Sequence, residues 1–368
     1  MRAAVIGGGF AGRVHVQALR AVGVEPYLVI TTKEESAERF AREMGIPRWS
    51  GADRDGYSAA YAPEIVAVHV CTPPSSHAAA ASELLRRGKP VLCEKPVALD
   101  LAEAELLSEA AASCGVPLSA VTFNVRYHMA CQRAKELIES GIFGRPILIH
   151  GNYMQEFHAL PAPYDWRYDP QLGGKMRAVT EIGSHWIDLA QYVSGKKVTA
   201  VSAQTANYWP ERVIRDGIMT GPGEGEQQEK IRVISEDAAT VNLRFEDGAI
   251  GSVVLSEVSP GRGNRLTLEV TCENGNLWWN EEENNILYTA KKGEGVHAEI
   301  FAFGNGFGDT FEELLRRFYA ALQCGGAEAG NRAEGLPSIA EGVRVAAVCR
   351  AILESSENDG RWIGVNGF

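Results

Sequence analysis

No stretch of the 368-residue chain approaches the roughly 18 apolar residues that a membrane-spanning helix needs, so none is read as one. Positive charge is in deficit. Against 47 Asp and Glu stand 36 Lys and Arg, a net charge of -11, which gives no support to nucleic-acid binding, since that leaves a basic footprint. Cysteine is scarce and scattered: the seven (Cys71, Cys93, Cys114, Cys131, Cys272, Cys324, Cys349) are odd in number and form no C-x-x-C pair. That argues against a structural zinc site and fits reduced thiols in a cytoplasmic setting. A charged n-region, an apolar h-region and a twin arginine are all missing from the N-terminus, and a cytoplasmic protein is the expectation. Internal repeats and low-complexity segments are missing too. The remaining composition, 45% apolar and 23% charged, is that of an ordinary globular chain whose length suggests two domains.

What is present begins at once. Met1 to Ile6 reads as an apolar strand, Gly7-Gly8-Gly9-Phe10-Ala11-Gly12 as a turn and Arg13 to Ala21 as a helix. A G-x-G-x-x-G turn between strand and helix is a dinucleotide fingerprint. Gly7 permits the turn, Gly9 lets backbone approach a pyrophosphate, and Gly12 lets helix and strand pack closely. Phe10 and Ala11 lie inside the loop, and the phosphates belong at the helix N-terminus. Strands then alternate with helices: Pro26–Thr31, a helix to Met44 stopped by Gly45, Glu64–Cys71, a helix to Arg87, Pro90–Cys93, a helix Leu101–Cys114 capped by Asp100 and stopped by Gly115, and Val116–Phe123. This predicts an α/β protein whose residues 1–123 form a doubly wound parallel Rossmann sheet.

Beyond residue 123 the pattern changes. Helices are expected at Met129–Ser140 and Thr180–Val193, with a strand at Pro146–Tyr153. Strands without intervening helices follow at Val198–Tyr208, Ala238–Glu246, Ala249–Glu257, Leu266–Glu273 and Asn276–Trp279. Glu246-Asp247-Gly248 and Glu273-Asn274-Gly275 read as hairpin turns. Residues 124–368 are thus expected to form an α+β domain for substrate binding and oligomerisation, with a large, mainly antiparallel open sheet. The helices Thr310–Cys324 and Ser338–Ser355 close the chain, the last able to pack back on the first domain. The acidic, glycine-rich stretch Asp216–Glu229 reads as a surface loop.

Four places carry chemistry. At the end of the second strand, where an NAD site usually has a carboxylate for the ribose hydroxyls, stand Thr31, Thr32 and Lys33. Two hydroxyls and an ammonium, with Arg39 one to two turns on, favour NADP or use of both nucleotides; the alternative is that Thr31 holds plain ribose. Thr72-Pro73-Pro74 follows another strand end, beside the fingerprint, and His77 opens the next helix toward either cofactor or solvent. Cys93-Glu94-Lys95-Pro96 ends a further strand, which aims Lys95 at the same crevice as a proton-transfer group whose charged form burial would disfavour. The Lys95–Pro96 bond is a candidate cis peptide. In Glu181-Ile182-Gly183-Ser184-His185-Trp186-Ile187-Asp188 a helical reading sets Glu181, His185 and Asp188 on one face, a histidine oriented by carboxylates. A satisfied structural histidine, or Glu181 and His185 as metal ligands, are the other readings; no metal is expected, for want of further His or Cys ligands nearby.

Taken together, the fingerprint, Glu94-Lys95-Pro96, Phe123-Asn124-Val125-Arg126-Tyr127 and Gly183-x-His185-x-x-Asp188 resemble the Gfo/Idh/MocA oxidoreductases. Asp237-Ala238-Ala239, Phe245-Glu246-Asp247-Gly248 and Ala340-Glu341-Gly342-Val343-Arg344 extend the resemblance along essentially the whole chain. Tyr164-Asp165-Trp166-Arg167-Tyr168 and Tyr208-Trp209-Pro210-Glu211-Arg212 are most similar to levoglucosan-type pyranoside dehydrogenases. The resemblance implies hydride transfer between NAD(P) and a secondary hydroxyl of a pyranose, anhydrosugar or cyclitol. It makes His185 the catalytic histidine and Lys95 the lysine on the reacting hydroxyl. Glu181 stands at a position that is commonly Asp, and Glu94, Asn124 and Arg126 line the cofactor and substrate cleft. Tyr153, Trp166 and Arg167 are candidates for the sugar wall, with core packing or a subunit contact as their alternative. A homodimer or homotetramer is expected from the exposed sheet face. Two other functions remain: a glycosidase that oxidises its sugar transiently on tightly held NAD, and a non-catalytic dinucleotide sensor.

Overall fold

The first strand, β1 (Arg2–Ile6), buries Ala3, Ala4, Val5 and Ile6 completely or nearly so, as a strand inside a parallel sheet covered on both faces must. The computed structural model describes residues 1–113, 118–222, 229–304, 306–324 and 335–365. Around β1 lie β2 (Glu25–Thr31), β3 (Arg48–Gly51), β4 (Ile65–Val70), β5 (Val91–Cys93) and β6 (Ala120–Val121), in the order β3-β2-β1-β4-β5-β6, all parallel. The helices α1 (Phe10–Ala21), α2 (Glu34–Met44), α3 (Ala52–Asp55), α4 (His77–Arg86) and α5 (Leu101–Ser113) make the connections. Gly45 ends α2 in the left-handed conformation at φ 61°. Asp100 Oδ1 accepts the Glu103 N–H at 2.9 Å at the start of α5. The proposed stop at Gly115, with Cys114 and the first residues of the strand read from Val116, lies outside the described residues. The edge strand β3 escapes the sequence reading because Arg-Trp-Ser-Gly carries no apolar run.

The chain divides into two compact units: Met1–Tyr127 with Gly306–Arg344, and His128–Asn305 with Val345–Phe368. The sequence reading assigned everything after residue 123 to the second. The difference has a packing cause. The helix Phe307–Gln323 repeats apolar residues at helical spacing, and Phe311, Leu314, Leu315 and Phe318 enter the same core as Val16, Leu19 and Phe40.

The second unit is built on a nine-stranded sheet. In spatial order it runs His297–Ile300, Ile286–Lys291, Gly275–Asn280, Arg265–Cys272, Pro146–Met154, Ile250–Ser256, Ala238–Phe245, Val198–Ala206 and Ile363–Gly364. Both expected hairpins are present, the first with Asp247 at φ 56° and Gly248 at φ 79°. The sheet is mixed: Ile250–Ser256 runs parallel to Pro146–Met154 at its centre. Ala238–Phe245 alternates buried Ala239, Val241, Leu243 and Phe245 with exposed neighbours, so one face packs and the other is wet. A smaller sheet orders Glu229–Arg232, Glu211–Arg215, Ile218–Thr220 and Ala162–Pro163. Part of the stretch read as a surface loop is therefore strand, and its residues 223–228 lie outside the described residues.

Candidate active site

In the first unit the glycine loop passes a direct test for a dinucleotide. A Cβ on Gly7 would stand 2.4 Å from Cys71 O, and one on Gly12 2.2 Å from Gly7 O, so strand, turn and helix approach too closely for any side chain. A Cβ on Gly9 would meet nothing within 4 Å: that flank is open. Gly9 starts α1 with no side-chain cap and no acidic residue in the first turn, which leaves N–H donors for an anion. Phe10 beside it is 72% exposed, and Ala11 is partly buried. These residues fit a pyrophosphate.

At the end of β2, Thr31 Oγ1 donates to Lys33 O at 2.9 Å and lies 2.5 Å from Ser36 Oγ. Thr32, Lys33 and Arg39 are exposed. Glu34 turns its Oε2 to the Gly51 N–H at 2.9 Å. The Thr72-Pro73-Pro74 turn half-buries Thr72 and Pro73, and Ser76 Oγ donates to Thr72 Oγ1 at 2.7 Å. His77 is turned away from solvent. It is 1% exposed, with Nδ1 2.7 Å from Pro96 O and Nε2 2.7 Å from Thr72 O. It brackets the proline turn to the Glu94-Lys95-Pro96 turn, and burial holds its ring below the usual histidine range. The Lys95–Pro96 bond is cis. Lys95 is partly buried. Glu94 lies 2.9 Å through Oε1 from His15 Nε2 and accepts the Lys95 N–H at 3.2 Å through Oε2. Asn124 is buried, its amide donating to Thr310 Oγ1 at 2.8 Å. Arg126 takes a partner different from the expected sugar: it is 3% exposed and ion-paired to Glu341 Oε1 at 2.8 Å.

In the second unit the Glu181 segment departs from a continuous α-helix. Val179–Gly183 is a π turn, followed by the α-helix Ser184–Ser194. The π turn has an anchor that local sequence does not show. Glu236 Oε1 accepts N–H from both Arg177 and Val179, at 3.0 and 2.8 Å. A wider turn shifts the i, i+4 geometry assumed for Glu181 and His185. Asp188 is 2% exposed, whereas Glu181 and His185 are partly exposed. Gly183 is required by close approach, since its Cβ would stand 2.6 Å from Leu255 Cδ1. Glu181 Oε2 receives Arg167 Nε at 3.2 Å, and Arg167 also pairs with Asp165 at 2.8 Å over the Trp166 ring. Arg167, Trp166 and Glu181 thus sit together at a half-buried surface. Tyr153 is core-like: 5% exposed, its hydroxyl donating to Asn264 Oδ1 at 2.9 Å.

Behind this surface lies a charge cluster that the sequence reading missed. Arg177 and Arg212 both bond Asp237 Oδ1, at 2.5 and 2.8 Å, and Arg177 Nε is 2.8 Å from Glu257 Oε2. Each guanidinium approaches the Tyr168 ring, at 4.9 and 5.0 Å from its centroid. Burial pushes Glu257 up to about 8 and Glu236 up to about 7. Burial, with Arg177 and Arg167 nearby, lowers His158 to about 3. The only signal in the sequence was the charged Ser-Glu-Asp at 235–237 leading into an apolar strand. Among the described residues no group of His, Cys, Asp and Glu could hold a metal ion.

Comparison with known proteins gives this geometry its relatives. Residues 1–122 match the oxidoreductase family with an NAD-binding Rossmann fold, and residues 131–278 match the GFO/IDH/MocA C-terminal domain. Levoglucosan dehydrogenase of Pseudarthrobacter phenanthrenivorans is 30% identical over 98% of this chain and 97% of its own. The scyllo-inositol 2-dehydrogenase (NAD+) of Bacillus subtilis is 30% identical over 76% of this chain and 73% of its own. A solved levoglucosan dehydrogenase in complex with NADH and levoglucosan superposes with a TM-score of 0.85 at 28% identity, covering 100% of both chains. With the fingerprint, the Lys95 turn and the His185 helix in place along the full length, this chain belongs to the Gfo/Idh/MocA family of oxidoreductases.

Proposed function

We propose that the protein is an NAD(P)-dependent dehydrogenase that oxidises a secondary hydroxyl of a pyranose, anhydrosugar or cyclitol. The observation that carries this is the full-length likeness to levoglucosan dehydrogenase, joined to partly exposed Lys95 and His185 in the two motifs. Gly7, Gly9, Gly12, Thr31, Thr72 and Glu94 would hold the dinucleotide, whose nicotinamide supplies the hydride acceptor. Lys95 binds and polarises the reacting oxygen. The His185 imidazole takes its proton. Glu181, at a position where relatives commonly carry Asp, orients His185 with Arg167 bridging it to Asp165. Aligning the carbinol carbon supplies much of the rate. The test is cofactor reduction over a sugar panel that includes levoglucosan and myo-inositol, by the parent, Lys95→Ala and His185→Ala. Each variant should lose about 10²–10⁴-fold in kcat. Near-parental turnover by either one removes the role given to that residue.

The finer assignments follow from the same reading. Thr32 and Lys33 offer a 2′-phosphate a hydroxyl and an ammonium, with the Thr31 hydroxyl given to Lys33 O and Glu34 turned away, so NADP should bind at least as well as NAD. Binding of NAD tighter by about tenfold, roughly 1.4 kcal/mol, reverses that. Ile250 and Val254, 58% and 41% exposed on the outer sheet face, favour a homodimer or homotetramer, which light scattering reads directly.

A further inference from the structure

We propose that Tyr319, His69 and His15 are positioning residues: a one-way chain of hydrogen bonds inside the first unit that ends on Glu94 and holds it as an oriented carboxylate beside Lys95. What Glu94 serves rests on the dehydrogenase reading; the chain itself does not.

The four groups come from four separate elements. Tyr319 is on the helix Phe307–Gln323, His69 on β4, His15 on α1 and Glu94 on the turn after β5. His15 and His69 are fully buried and Tyr319 is 3% exposed. The contacts run without a gap: Tyr319 Oη to His69 Nε2 at 2.7 Å, His69 Nδ1 to His15 Nδ1 at 2.6 Å, and His15 Nε2 to Glu94 Oε1 at 2.9 Å.

Counting donors fixes the direction. Two facing imidazole nitrogens can share one proton, not two. Among the described residues the Tyr319 hydroxyl has no other hydrogen-bond partner, so its hydrogen is satisfied only if it goes to His69 Nε2. His69 must then donate from Nδ1 to His15 Nδ1. His15, accepting there, donates from Nε2 to Glu94. Every donor points toward the carboxylate, and each bond polarises the next. The reverse order strands a buried hydroxyl hydrogen and requires a protonated Glu94 or a charged His15. Burial, together with the neighbouring His15, keeps the His69 ring far below the usual histidine range, in line with a neutral link. For Glu94, burial alone would raise the carboxyl, but the His15 hydrogen bond and the neighbouring Lys95 outweigh it and hold it below its ordinary value. With Oε1 fixed, Oε2 stays at the Lys95 N–H.

The titratable groups facing Glu94 are His15 from α1, Lys95 beside it, His77 from α4, and the thiols Cys71 and Cys93 at the ends of β4 and β5. Burial pushes both thiols up and His77 down.

The first experiment needs no activity. In the full chain labelled with 15N-histidine, assigned through His15→Gln and His69→Gln, His15 should carry its ring hydrogen on Nε2 and His69 on Nδ1. The opposite tautomer at either ring overturns the chain. The second experiment measures NADH binding by fluorescence as a function of pH, a readout that does not pass through His185. In His15→Leu the acid limb of that profile should rise by about one pH unit, a tenfold change in the carboxyl's proton affinity, with weaker NADH binding. Tyr319→Phe keeps the volume and should shift both in the same direction by about threefold. A folded His15→Leu and Tyr319→Phe that leave limb and NADH affinity within about twofold of the parent overturn the positioning role. Failure of the dehydrogenase reading shows separately, as a parent that binds NADH but turns over no sugar, and the tautomers and NADH affinities still decide the proposal.

Discussion

The two units secure their polar residues by opposite means. In the first, a buried line of donors and acceptors, Tyr319–His69–His15, delivers its hydrogens to a single carboxylate, and His77 sits between backbone carbonyls of two turns. In the second, five ionisable side chains, Arg177, Arg212, Glu236, Asp237 and Glu257, are packed together at 0 to 5% exposure, three acids against two bases. A chain of hydrogen bonds gives direction without burying a row of charges. A charge cluster gives strong anchoring, and its burial pushes the Glu257 and Glu236 carboxyls up to about 8 and about 7. The first arrangement suits the end that carries the dinucleotide loop, and the second fixes the π turn that carries Glu181.

The sharpest way to break the contrast is Arg177→Met. It leaves Asp237 with Arg212 alone and Glu257 without its cation, and should destabilise the protein by about 3–5 kcal/mol in urea unfolding. A loss below 1 kcal/mol would mean that the cluster is not an anchor.

The pH dependence comes next. Glu257 is raised from 4.5 to about 8 and Glu236 from 4.5 to about 7, so the folded state holds protons that the unfolded state has already released. Their contribution is fully present below pH 4.5 and is lost as pH rises through about 7 and then 8. Stability should therefore fall across that window by up to about 1.4 kcal/mol per pH unit per group. Glu257→Gln should flatten the upper part of the fall. An unchanged profile in that variant assigns the proton elsewhere.

His77→Leu tests the hydrogen-bonded side. The ring, held neutral, has one N–H to give, so one backbone carbonyl loses its donor, a loss of about 1–3 kcal/mol, and NADH binding should weaken because the contact between the two turns loosens. If stability falls and NADH affinity holds, the bracket is only structural. At the small end, Arg42→Ala removes an exposed i, i+4 pair with Glu38 and should change stability by less than about 0.5 kcal/mol. A larger loss there would blur the distinction between buried and surface charge.

Much of this was legible in the residues themselves because the signals are local. The glycine loop, the Gly45 stop, the Asp100 cap, the cis Lys95–Pro96 bond and the two hairpin turns each depend on a few neighbouring backbone angles. The missed features depend on residues far apart in the chain. Thr180 to Val193 reads as one helix, and only the Glu236 carboxylate, with Arg177 held by Asp237, shows why it opens as a π turn. Arg126 carries no mark that Glu341 will take it, nor Tyr153 that Asn264 will.

The sequence by itself determined a Rossmann fingerprint, a lysine turn, a histidine helix and hence the family, since each rests on turn chemistry and hydrophobic period. Tertiary structure alone decided which polar side chains meet inside. It paired the two central strands in parallel, joined His15 to His69 and on to Tyr319, and gathered five charges behind Glu181. The physical reason is that a buried hydrogen bond or ion pair is set by the distance and direction between atoms, and folding brings those atoms together from elements that share no local pattern.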